Sequence, residues 1–126
     1  MELLSSNSMA MMQRSLEYLW TKQSCILDNI ANVETPGYKT KYATFEESLE
    51  EAIRSAAEKR GSGEMRRAIE ETPVQIHEAQ ESARMDGNGV NITEQMVELV
   101  RNGYQQQYVM SAISSDFSVL MTAIRG

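Results

Sequence analysis

The stretch MAMMQRSLEYLWTKQSCILDNIANV, Met9 to Val33, decides the fold. Met9, Met12, Leu16, Leu19, Gln23, Ile26, Ile30 and Val33 fall at alternating steps of three and four, a helical seam interrupted by one polar residue, Gln23. The same steps return near the other end of the chain, from Ile92 through Met96, Leu99, Gly103, Gln106, Met110, Ile113, Phe117 and Leu120 to Ile124. Each series predicts an amphipathic helix on the order of 45 to 50 Å long. A helix of that length gains little alone, because most helical stability comes from burying its apolar stripe, and the simplest partner for each is the other. The expected fold is therefore mainly α. Two long terminal helices pair as an antiparallel, coiled-coil-like hairpin, joined by a short helical or extended middle. The chain divides into residues 1–38, 39–89 and 90–126.

Both helices carry boundary signals. In NIANVETPGYKT, Asn29 to Thr40, Pro36 forces Thr35 out of the helical region, and Pro36-Gly37 suits the central positions of a type II turn from Thr35 to Tyr38. Asn29 and Asn32 lie three apart beside the seam; Asn is a mediocre helix former, so these two are expected to hydrogen-bond the turn or a neighbouring backbone. Ahead of the second helix, DGNGV (Asp86 to Val90) supplies turn residues, and Asn91 with Glu94 forms a variant of the capping box.

Charge and composition narrow the function. A net charge of -6 and a pI near 4.8 argue against nucleic acid, which is bound through clustered Lys and Arg. No apolar run is long enough to cross a bilayer, and no cleavable signal peptide is expected, since Met1 leads into Glu2 and the early apolar positions are spaced. Cys25 and His77 are the single cysteine and the single histidine. Neither an internal disulfide nor a zinc site is expected from them, and Cys25 reads as an inert thiol.

Away from the seams the terminal helices carry few charges: Glu2, Arg14, Glu17, Lys22 and Asp28 in the first, and Glu98, Arg101, Asp116 and Arg125 beyond Glu94 in the second. Ser, Gln, Asn and Thr fill most other outward positions, with Trp20, Tyr104, Tyr108, Val109 and Val119 among them. Faces poor in charge and dotted with aromatics suit burial against further protein. The middle differs in composition. Thr44 and Glu47 suggest a capping box for a short helix with Phe45, Leu49, Ile53 and Ala56 on its apolar side, ended by Gly61, Ser62 and Gly63. Glu64 to Glu71 reads as a further helical turn or two, and Val74 and Ile76 after Pro73 as a short extended segment. The many glutamates there read as a solvated face. They lie on successive exposed turns without a phosphate loop, nucleophile elbow or His partner, so no catalytic residue, cofactor or metal is assigned.

The run NIANVETPGYKT resembles the N-terminal signature of bacterial flagellar rod, hook and related axial proteins, where a long helix ends in an Asn-rich turn followed by Thr-Pro-Gly-Tyr. The C-terminal run from DGNGVNITEQ to LMTAIRG is similar to that of the proximal members of the basal-body rod family. Together the two blocks cover about the first and last forty residues. The resemblance implies a non-enzymatic structural subunit, made in the cytoplasm, exported uncleaved by the flagellar type III apparatus, and assembled with its own copies and other basal-body proteins into the rod across the periplasm, without membrane insertion. It also implies that the seam residues are helix–helix packing, and that Asn29, Asn32, Thr35, Pro36, Gly37 and Tyr38 form the family's turn. Head-to-tail contacts between identical subunits give an open helical array, so the termini are expected to order fully on assembly. A small cytoplasmic helical adaptor or export chaperone is the competing reading.

Overall fold

A computed structural model describes residues 6–45, 51, 62–79 and 90–125. Helix α1 spans Ser6–Ala31, strand β1 Lys41–Thr44, helix α2 Ser62–Glu71, strand β2 Gln75–Glu78 and helix α3 Ile92–Arg125. At about 1.5 Å per residue, α1 is roughly 39 Å long and α3 roughly 51 Å. The two pack against each other, and α1 also carries α2 and β1. Asn29 meets Gln95, Lys22 meets Glu98 and Leu19 meets Asn102, so numbers fall along α1 as they rise along α3 and the helices run antiparallel.

The boundaries follow the expected chemistry. Beyond α1, the Tyr38 amide donates to the Thr35 carbonyl at 3.2 Å, closing a turn in which Gly37 adopts φ 73°, the left-handed conformation that the third position of a type II turn requires. At the start of α3, the Asn91 side chain accepts from the Glu94 amide at 3.1 Å while its carbonyl accepts from Gln95 at 3.0 Å. These are the two bonds of an N-cap.

The described residues of the middle segment form regular elements. β1 and β2 form an antiparallel ribbon, pairing Lys41 with Glu78, Tyr42 with His77, Ala43 with Ile76 and Thr44 with Gln75. Tyr42 stacks on His77 with ring centroids 5.3 Å apart, and Thr44 Oγ1 lies 2.9 Å from His77 Nε2. β2 falls where the extended segment was expected, whereas β1 is an element that the local sequence does not announce. Helix α2 begins at Ser62, taking in Ser62 and Gly63, which the sequence reading placed in a break. First-turn positions tolerate such residues because their amides lack intrahelical partners in any case. Of the expected Thr44/Glu47 helix, Thr44 is the last residue of β1 and Phe45 follows it into the core, while Glu47, Leu49, Ile53 and Ala56, like the glycine turn at 86–89, lie outside the described residues.

A small core joins the ribbon and α2 to α1. Phe45, Ile69 and Ala10 are buried together, with Met11, Tyr18 and Val74 packed around them. Tyr18 stacks on Phe45 at 5.8 Å, and the Arg14 guanidinium sits 5.3 Å from the same ring. Arg14 also donates to the Thr72 carbonyl beyond α2, so one side chain links α1, Phe45 and the end of α2. Cys25, buried on the opposite part of α1, has its thiol pKa pushed up by burial and then by Asp28, which leaves it protonated and unreactive at neutral pH.

Candidate assembly interface

Asn29 stands in the last turns of α1 and is 1% exposed. Its amide nitrogen donates to the Lys41 carbonyl and to Gln95 Oε1, both at 2.9 Å. Its oxygen accepts from the Lys41 amide at 2.8 Å and from the Tyr38 hydroxyl at 3.1 Å. An asparagine side chain offers two donors and two acceptor sites, and all four are used. One residue thus ties the end of α1 to the turn, to the start of β1 and to α3. Burial raises the Tyr38 hydroxyl pKa, against the opposing pull of Lys41, so Tyr38 remains a donor across the neutral range. Asn32 works locally: its amide donates to the Asp28 carbonyl at 2.8 Å and its oxygen accepts from the Thr35 hydroxyl at 3.0 Å. Pro36 and Gly37 are exposed at the tip of the turn.

Along α1 the seam faces inward. Leu19 and Ile26 are buried, Met9, Met12, Leu16 and Ile30 are half-buried, and Val33 is half-buried in the turn beyond the helix. Along α3 the inward row differs from the expected one. Leu99 and Ile113 are half-buried, but Met96, Met110, Phe117 and Ile124 are exposed, and the Leu120 side chain lies outside those described. The row turned inward is Gln95, Leu99, Asn102, Gln106, Val109, Ile113 and Asp116, every member buried or half-buried. It keeps the three-four steps and shares Leu99, Gln106 and Ile113 with the apolar series, but each remaining position falls one residue earlier.

The reason is polar. Asn102, 1% exposed, donates to the Leu19 carbonyl at 2.9 Å. Gln106 Nε2 donates to Gln23 Oε1 at 2.6 Å, Gln95 accepts from Asn29, and Lys22 pairs with Glu98 at 3.2 Å. A buried amide must find partners, so these residues face α1 even though Met96, Met110 and Phe117 are left out. Uncharged polar residues at a three-four spacing were the available signal, overlooked because the apolar row reads more loudly.

Outside its seam with α1, α3 presents Met96, Val97 and Val100, and Tyr104 and Tyr108 stand 70% and 77% exposed at the edge of the groove between the helices. Every side chain described from Phe117 to Arg125 is exposed as well, including Val119, Met121 and Ile124. Trp20 and Leu27 add apolar surface on α1. Between the helices an open groove of about 640 Å³ is lined by Met11, Tyr18, Leu19, Phe45, Tyr104 and Tyr108, with Lys22 and Arg101 contributing the charged groups. Its lining is mostly apolar and aromatic. Among the described residues, no cluster of three His, Cys, Asp or Glu side chains could hold a metal ion, and no helix is long and apolar enough to cross a membrane.

No family model matches the chain. Individual relatives do. It is 27% identical over 125 residues to the flagellar basal body rod protein FlgB of Bacillus subtilis, covering 98% of this chain and 97% of that one. The FlgB of Aeromonas hydrophila is 28% identical over 122 residues, 90% of this chain and 89% of its own. With the FlgB of Borrelia hermsii the identity rises to 33% over 106 residues, 75% of this chain and 78% of the relative. Identity at that level over three quarters of the chain shows that the chain belongs to the family of the flagellar basal body rod protein FlgB.

Proposed function

We propose that this protein is a structural, non-enzymatic subunit of the proximal rod, assembling with its own copies and with other rod proteins through the outward face of α3. Its relatives are rod proteins by name, and the observation that carries the mode of assembly is that face itself. Among the described residues, eleven large apolar side chains of α3 are exposed. At roughly 100 Å² apiece they amount to on the order of 1,000 Å², whereas a monomer rarely exposes a contiguous patch beyond a few hundred. A specific interface needs about 800 Å² from each partner. Repeated head-to-tail contact through such a face gives an open helical array.

On this reading the segments 1–38 and 90–126 form the axial part and 39–89 the variable insertion. The subunit reaches the basal body through the type III export apparatus without losing an N-terminal peptide, and its helices acquire their full order from neighbours. Deleting the gene is expected to abolish swimming and to stall basal bodies before the distal rod; a deletion strain that still swims would overturn the proposal. Mass spectrometry of purified basal bodies should find the N-terminal peptide intact. Amide exchange on the dilute subunit tests the ordering: strong protection along residues 9–33 and 96–124 would count against it.

The groove between α1 and α3 favours one competing reading, an export adaptor that takes a partner's helix there. Such an adaptor stays monomeric as concentration rises, while a rod subunit associates.

A further inference from the structure

Two rows on α3 compete for α1. The row Met96, Leu99, Gly103, Gln106, Met110, Ile113, Phe117 is the more apolar, and a rotation of α3 by roughly 50°, half the angular step between neighbouring residues, would bring it inward. Gly103 brings no side chain to obstruct that rotation, and in the observed orientation it faces open space. Area bookkeeping alone favours that rotated arrangement, because it would bury Met96, Met110 and Phe117, with Gly103, in place of Gln95, Asn102, Val109 and Asp116. The structure nonetheless holds the polar row inward, and at some expense: Asn102 Oδ1 is buried without a hydrogen-bond partner.

We propose that Asn102 and Gln95 are positioning residues that select which side of α3 faces α1, and so hold Met96, Met110 and Phe117 outward. Rotation would pull Asn102 from the Leu19 carbonyl and Gln95 from Asn29, whose remaining bonds fix the turn and β1. A polar residue in a helix–helix seam specifies register at a cost in stability, because every other arrangement leaves its partners unpaired. The selection acts within one subunit. That the outward row is reserved for neighbours rests on the rod reading; the choice of row does not, and the test reads the choice alone.

The full-length protein is compared as Cys25→Ser/Met96→Cys with and without Gln95→Leu/Asn102→Leu, at a concentration where sedimentation shows a monomer. Maleimide reaction at position 96 is expected to be fast in the parent and at least about tenfold slower in the quadruple variant, as for a thiol that reacts only through local opening. A merely structural role for the two amides would not protect position 96. Equal rates in two proteins of equal helical circular dichroism overturn the proposal. If the quadruple variant loses its helical signal, Asn102→Ala in the same Met96→Cys background carries the test. A reaction slowed about threefold then supports the selection, and an unchanged rate overturns it.

Discussion

The seam of α3 with α1 carries Gln95, Asn102 and Gln106, while Val100, Tyr104 and Tyr108 stand exposed outside it, the tyrosines at the edge of the open groove. In a monomeric globular protein the two sets would be exchanged. The difference separates two tasks. Directional hydrogen bonds fix how the hairpin closes, and on the proposed rod reading non-directional apolar area supplies what neighbours need for association. A subunit that buried its tyrosines internally would be more stable alone and would have less surface to offer.

The inward side should break most readily at Asn29. Asn29→Ala removes four hydrogen bonds and strands the Lys41 amide and carbonyl, so a loss of about 3 kcal/mol is expected, lowering Tm by about 10 °C in a thermal scan. A shift under about 2 °C would mean that the turn holds without its buried anchor. Gly37→Ala follows at about 1 kcal/mol, through the strain of a positive φ alone, since open space surrounds the new methyl group. Denaturant unfolding would measure it.

Alkaline pH acts on the same side more gently. Cys25 and Tyr38 both have raised pKa values in the folded chain, so the unfolded chain releases those protons first. Their contribution is complete below about pH 9 and is lost as pH rises through the folded values. Cys25→Ser should delay the onset of that loss in a pH series of unfolding curves. The smallest change in the isolated chain belongs to the outward side: Tyr104→Glu/Tyr108→Glu should alter stability by no more than about 0.5 kcal/mol while abolishing swimming in a complementation assay. Normal swimming would detach the outward face from assembly.

Legibility followed the range of the interactions. The TPGY turn and the Asn91 cap are local, and the residues that make them are the residues that announce them. β2 was readable from Val74 and Ile76 after Pro73, but β1 owes its form to partners more than thirty residues away in sequence, which Lys41-Tyr42-Ala43-Thr44 does not encode by itself. The pairing of the terminal helices was legible from their periods, because two long apolar stripes need cover. Which side of α3 turns inward was not, since a period marks every residue near the stripe alike. The deciding contacts, such as Asn102 to the Leu19 carbonyl, run between residues 83 apart.

The central claim is that α3 turns its amides to α1 and its tyrosines to other subunits. A density map of the assembled rod with this chain traced tests it most directly. The account predicts Asn102 against Leu19 of the same subunit, with Val100, Tyr104 and Tyr108 buried against neighbouring subunits. Tyrosines left in solvent in the finished rod, or α1 and α3 of one subunit standing apart, would contradict it.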